Sequence, residues 1–338
     1  AYLDHRSRRV YGSCMPFKSN GGCFDEGSPV RDTDHAFTRS VERFDSAGVS
    51  CVADVYRPRE ARAQHVPVIV MAQGFGGVRR LCLPSYAERF AAAGYVVALF
   101  DYRFFGDSEG SPRELLDIAA QLEDWRAAVS WARTLDGVDP ERVVGWGTSF
   151  AGGHVLTLAG TGTDFTAVIA QVPHVSGFAA ARATGLRQSL RLAPAAIEDL
   201  WRSIRGREPR YVASIGPAGS AAVMATADAD PAVDRMVAAS GMSRDDFPER
   251  VAARVLLSVT MYSPLRYARN TQCPALIQVA TEDEIAPAGP ARTAADRIPR
   301  GTIIEYDAGH FDLYIEPLFE QVVADQLEFL ASNAPVQR

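Results

Sequence analysis

A short apolar run ends in Gly145-Trp146-Gly147-Thr148-Ser149-Phe150-Ala151-Gly152-Gly153, and no other stretch restricts the fold of this chain so sharply. Val143 and Val144 read as the end of a strand, and the residues after Ser149 are apolar and compatible with a helix. A serine at such a junction sits on a strained turn, its hydroxyl exposed and the next backbone N–H free. Gly147 removes a Cβ where the turn is tightest. Ala151 stands where the G-x-S-x-G pattern has its second glycine, and it still keeps the first helical turn small.

A serine so placed needs a base and an acid. Of His5, His35, His65, His154, His174 and His310, only His310 follows the serine close to the C-terminus and lies just beyond a strand-like run, Thr302-Ile303-Ile304-Glu305-Tyr306. From that loop its imidazole can take the serine proton and return it to a leaving group. The acid is expected after the apolar residues 275–280, where Glu282, Asp283 and Glu284 precede Pro287. Asp283 is the candidate to orient the imidazole, on the Asp-x-x-x-Pro spacing, with Glu282 and Glu284 as flanking alternatives. Another apolar run, Val66–Ala72, ends in Gln73-Gly74-Phe75-Gly76-Gly77. A glycine-rich loop after a strand can turn an N–H toward the serine, so the backbone N–H groups of Phe75 and Phe150 are the candidate oxyanion donors.

These features resemble the serine hydrolases of the α/β-hydrolase superfamily over roughly residues 38–333. The resemblance extends to Asp101-Tyr102-Arg103-Phe104-Phe105-Gly106-Asp107-Ser108, which is similar to a D-x-R-G-x-G-x-S loop with Phe104 in place of a glycine. It implies a mostly parallel eight-stranded sheet with helices on both faces. It also implies hydrolysis of carboxylic esters through an acyl-enzyme, with thioesters, peptides or amides as alternative substrates of the same triad and no cofactor. Histidine often stands where this chain has Gln73.

The chain of 338 residues, 47% hydrophobic, can bury a large core and carry an insertion. Residues 1–37 read as an N-terminal extension. Residues 38–174 and 263–338 read as the catalytic domain, and 175–262, where strand–helix alternation fails, as a helical cap whose inner face closes over substrate. His174, Trp201 and Met224 are the candidate pocket residues. Ser111-Pro112-Arg113-Glu114 reads as a capping box opening a helix.

A net charge of -6 argues against a nucleic-acid surface, and no apolar run has membrane-spanning length. Five scattered cysteines suggest reduced thiols, with a Cys14–Cys23 pair as the alternative, and no metal motif is present. The expected partner is a small ester, in a cytoplasmic protein or in a secreted one whose signal has been removed; self-association is left open. The rival from another class is an NAD-dependent oxidoreductase, because Gly74-Phe75-Gly76 follows one strand and Asp101 ends the next. Its fingerprint breaks at Arg79, which occupies the third glycine position. A non-catalytic binding protein of the same fold is the other rival, distinguished by loss of a triad member.

Overall fold

A computed structural model describes residues 7–10, 36–59 and 65–336; the rest of the N-terminal extension, with Cys14 and Cys23, lies outside the described residues. In chain order the elements are β1 (Ser7–Val10), β2 (Phe37–Ser46), β3 (Val49–Pro58), β4 (Val66–Ala72), α1 (Leu83–Ala92), β5 (Val96–Phe100), α2 (Ile118–Ala132), β6 (Val138–Thr148), α3 (Phe150–Ala159) and β7 (Ala167–Gln171). The cap region follows with α4 (Gly177–Thr184), α5 (Leu186–Ile204), β8 (Tyr211–Ile215), β9 (Ala222–Met224), α6 (Ala229–Ala239), β10 (Arg250–Ala252) and α7 (Val255–Val259). The domain closes with β11 (Ala275–Ala280), α8 (Ala288–Arg297), β12 (Gly301–Tyr306) and α9 (Phe319–Asn333). No helix among the described residues is long and apolar enough to cross a membrane.

The main sheet has the order β1-β12-β11-β7-β6-β4-β5-β3-β2. Only β3 runs against its neighbours β2 and β5, and every other pairing is parallel. This is the expected eight-stranded α/β-hydrolase sheet with β1 added beside β12, so part of the N-terminal extension joins the sheet. Parallel strands covered on both faces become continuous apolar runs, as β4 and β11 are. The two-residue strand period splits β4 between two cores. Val68, Val70 and Ala72 face the layer holding Trp125 and Leu156, while Ile69 and Met71 face Leu83, Tyr86, Phe90 and Phe329.

Two buried polar networks pin this frame. Arg79 reaches Asp54 at 3.1 Å and Asp107 at 2.8 Å, and it also pairs with Asp101. Arg103 donates to Asp124 from Nε at 2.6 Å and to Ser46 at 2.7 Å, tying the loop after β5 to α2 and to the β2–β3 hairpin. The buried glutamines of the central strands form a further chain. Trp146 Nε1 donates to Gln326 at 3.0 Å, and the Gln326 amide donates to Gln171 at 3.0 Å and Gln278 at 2.6 Å. Gln278 donates to Tyr306, whose hydroxyl donates to Asp325.

Two expectations are corrected. The cap is not purely helical, since β10-β8-β9 form a second, three-stranded sheet within it. Residues 111–114 do not start a helix: Glu114 has φ 52°, its N–H goes to Phe104 O, and Arg113 is drawn onto the carbonyls of Ser108 and Gly106. Instead α2 starts at Ile118, capped by the Asp117 carboxylate on the Ala120 N–H at 3.0 Å.

Arg79→Met would leave Asp101 buried without its cation and Asp54 with Arg39 alone. It is expected to lower unfolding stability by about 3–5 kcal/mol, read from urea denaturation.

Candidate active site

The strands deliver the candidate residues to one edge of the sheet, the carboxyl end where α/β folds hold ligands. Ser149 directly follows β6 and has φ 53° and ψ -115°, a conformation rare for a residue with a side chain. Three backbone hydrogen bonds hold it there: its N–H donates to Gln171 O at 2.8 Å, and its carbonyl accepts from Gly153 at 3.2 Å and His174 at 2.8 Å. The turn also needs missing side chains. A Cβ on Gly147 would overlap the Ala151 carbonyl, and one on Gly74 would stand 2.8 Å from Ser149 Cβ.

His310 lies just beyond β12, four residues past Tyr306. Its Nε2 is 3.1 Å from Ser149 Oγ and its Nδ1 is 2.6 Å from Asp283 Oδ2. With the proton on Nδ1, directed at the carboxylate, Nε2 is left as an acceptor for the serine hydroxyl. The other Asp283 oxygen accepts from the N–H groups of Ile285 at 2.8 Å and Ala286 at 2.6 Å. The acid and histidine loops are tied together by Glu282 N–H to Ala308 O at 3.0 Å. Glu282 and Glu284 remain exposed. The three side chains so aligned are nearly buried, with 8%, 2% and 8% exposure for Ser149, His310 and Asp283.

The Gly74 loop packs on the serine, and the Phe75 and Phe150 rings meet edge-on with centroids 5.7 Å apart. Among the described residues neither Phe75 N–H nor Phe150 N–H has a protein acceptor. Gln73, in the place where histidine is common, fixes the loop itself: its amide donates to Leu81 O at 2.8 Å and accepts from Gly74 N–H at 2.9 Å. Asp101 sits below this edge with both oxygens engaged by Arg79 and its carboxylate accepting from Asp107 N–H, so it presents no acceptor for a ribose.

Two cavities meet at Ser149. The larger, about 310 Å³, runs under α5 and is lined by Leu192, Ala193, Ala196, Val223, Leu256 and Ile285, among others. The smaller, about 40 Å³, is lined by Gly77, Leu81, Met236, His310, Phe311 and Tyr314, among others. Phe75, Ser149 and Met224 border both. Met224 therefore stands at the partition, on a strand and not a helix. His174 lines the larger cavity. Trp201 lines neither: it is 54% exposed and packs against the Arg205 guanidinium. The inward face of α5 carries Gln188, Leu192, Ala196 and Asp199, and Trp201 follows Asp199 by two residues, about 200° around the helix. The more apolar face of α5, with Leu190, Ile197, Trp201 and Ile204, is the exposed one, so composition alone pointed to the wrong face. Several cavity residues missed by sequence reasoning, such as Ala180, Ala193, Ala196 and Val223, make room by being small and carry no motif.

Behind the serine, His154 is fully buried, with Nδ1 2.7 Å from the Tyr262 hydroxyl and Nε2 3.0 Å from Gln121 Oε1. Burial, reinforced by His174, lowers its pKa to about 3. Burial likewise lowers His174 to about 4, with His310 adding to the effect and Asp283 opposing it.

The family described as X-Pro dipeptidyl-peptidase (S15 family) matches residues 47–285. The quorum-quenching protein AidA of Acinetobacter baumannii (strain MDR-ZJ06) is 44% identical over 295 residues, 87% of this chain and 95% of that protein. Thiohydrolase apmlB of Arthrinium phaeospermum is 35% identical over 150 residues, 44% of this chain and 48% of its own length. Among solved structures, the α/β hydrolase GrgF from Penicillium sp. sh18 superposes with a TM-score of 0.72 at 22% identity, covering 88% of this chain and 99% of that one.

The two depressed histidines have a consequence for stability. The unfolded chain takes up protons on them near the ordinary value of 6.5, whereas the folded chain resists until about 4 and 3. Their contribution is therefore complete above pH 6.5 and is lost as pH falls below it, with a slope of up to about 1.4 kcal/mol per pH unit for each. Urea titrations between pH 5 and 6.5 should show this slope, and His154→Gln should reduce it.

Proposed function

The chain belongs to the S15 family of the α/β-hydrolase superfamily, and on that premise we propose that it cleaves carboxylic esters through an acyl-enzyme on Ser149. The observation that carries this reading is the Ser149–His310–Asp283 relay opening onto an apolar cavity. Ser149 Oγ attacks the ester carbonyl carbon while its proton moves to His310 Nε2, and the Asp283 carboxylate stabilises the imidazolium. The carbonyl oxygen takes the negative charge and is met by the Phe75 and Phe150 N–H groups. Collapse of the intermediate breaks the bond to the alcohol oxygen, which leaves with the proton from His310. Water then attacks the acyl-enzyme, with His310 as base, and frees the acid and the serine.

The proton path orients the substrate. The alcohol oxygen must face His310, which lines the small cavity and not the large one. The alcohol part therefore belongs in the 40 Å³ recess and the acid part in the 310 Å³ cavity. The substrate class that fits is an ester or lactone with an extended apolar acid and a compact leaving oxygen. The cap, from α4 to α7, is the lid over the acid part, and its exclusion of water strengthens the oxyanion contacts. Thioesters are the second reading, supported by the thiohydrolase relative, since a sulfur leaving group can use the same relay. Peptide hydrolysis, which the family's description suggests, would require an amine and its chain to fit the small recess.

Variant enzymes and an ester panel test this. Ser149→Ala should lower ester hydrolysis by several powers of ten and abolish fluorophosphonate labelling, and Asp283→Asn should lower kcat by about 10⁴. Near-normal turnover in either variant would remove that residue from its role. Ethyl esters should be preferred over esters of bulky alcohols and over acyl-CoA, and Met224→Ala should shift that ratio toward bulky alcohols by about tenfold. Trp201→Ala, on the outer face of α5, should leave the acyl-chain profile unchanged.

A further inference from the structure

His174 takes no part in the relay, yet its ring stands on the wall of the acid-side cavity beside the nucleophile. Its backbone N–H holds the Ser149 carbonyl at 2.8 Å. The imidazole, 9% exposed, packs against the Phe150 ring at 5.2 Å and lies parallel to Tyr262 at 6.5 Å. Nε2 is buried with no hydrogen-bond partner, and no hydrogen bond among the described residues reaches Nδ1. The contrast with His154, one layer deeper, is direct: there both ring nitrogens are engaged. Burial keeps the His174 ring neutral above about pH 4, so it offers one N–H and one lone pair. A buried polar group without a partner is costly, and native structures keep one mainly where a ligand or water answers it. Gln188, another polar residue of the cavity wall, already gives its amide to the carbonyls of Ser220 and Ala222.

We propose that the His174 imidazole hydrogen-bonds a polar substituent on the acid part of the substrate, at the second or third carbon from the scissile carbonyl. The position follows from the neighbours of the ring. Phe150, against which it packs, supplies one of the N–H groups assigned to the carbonyl oxygen, so the group that His174 meets lies within a few bonds of that carbonyl. The substituents that fit a neutral imidazole are a keto oxygen, which accepts, and a hydroxyl or amide, which can do both. The large cavity would then read an apolar chain that carries one polar group close to its reacting end. This rests on the ester reading above for the orientation of the substrate.

The test compares ethyl hexanoate with ethyl 3-oxohexanoate, ethyl 3-hydroxyhexanoate and ethyl N-butanoylglycinate, which places an amide at carbon 2. The native protein should favour at least one substituted ester by about tenfold or more in kcat/KM, because a site built for a hydrogen bond discriminates against the analogue lacking it. His174→Phe keeps the aromatic packing and removes both polar nitrogens, and its ratio should fall toward one. His174→Gln, which can still donate and accept, should recover part of the preference. A ring that only packs would leave the ratio untouched in both variants, and that result overturns the proposal, as does a native protein with no preference. Binding of the same four esters to Ser149→Ala, followed by calorimetry, reads the preference without turnover. Preferential binding that persists without hydrolysis in the native protein would refute the ester mechanism while upholding the His174 contact; hydrolysis without preference would do the reverse.

Discussion

The backbone at Ser149 is the constraint on which the rest of the site depends. A φ of 53° with ψ -115° costs on the order of 1–3 kcal/mol for a residue with a side chain. It persists because β7, α3 and His174, three residues past β7, each contribute a hydrogen bond to the backbone of this one residue. The same turn aims the hydroxyl at His310, leaves the Phe150 N–H unpaired and requires Gly74 to approach without a Cβ. The distances from Ser149 to His310, the free Phe150 N–H and the meeting point of the two cavities are all fixed relative to this turn. Loosening it would cost the geometry of every one of them at once.

How much could be read from the chain follows from how local each feature is. The junction at Ser149, the loop at Gly74 and the loops after β11 and β12 each end an apolar strand, so a strand period and a break were enough to find them. Asp283 separates from Glu282 and Glu284 in space because its second oxygen is held by the Ile285 and Ala286 N–H groups. That is a turn its spacing to Pro287 only hinted at. Within residues 175–262, read from the sequence as a helical insertion, the short strands were not legible. Strands as short as β9 and β10, three residues each, leave almost no period to read. Which face of α5 looks inward is decided by Asp199, whose carboxylate is held by Arg254 and by the Arg210 N–H, a pairing 55 residues apart in sequence. The outer face, with Leu190, Ile197, Leu200 and Trp201, is the more apolar one, so composition pointed to the wrong side.

The D-x-R loop shows how a family-like motif can serve the scaffold instead of the chemistry. Asp101, Arg103 and Ser108 never reach the cavity. Ser108 receives the Val52 N–H and donates to the Asp101 carbonyl, while Arg103 spans Ser46 and Asp124. These bonds lock the ends of β3 and β5 against α2. The sheet edge that carries the Gly74 loop is thereby held in register with β6. Rigid support of this kind matters because small displacements of catalytic groups are expensive in rate.

The buried glutamines have a consequence for the order in which this protein can be made. Gln171 and Gln278 lie on central strands, and the Trp146 indole lies on the strand that ends at the serine, yet all three find a partner in Gln326 of the last helix. Until residues 319–333 have been synthesised, the side-chain carbonyls of Gln171 and Gln278 and the Trp146 indole N–H lack the partner that Gln326 supplies. The strand that ends at Ser149 emerges from the ribosome long before this support does, so the network is completed late, when the final helix arrives to close the chain of amides.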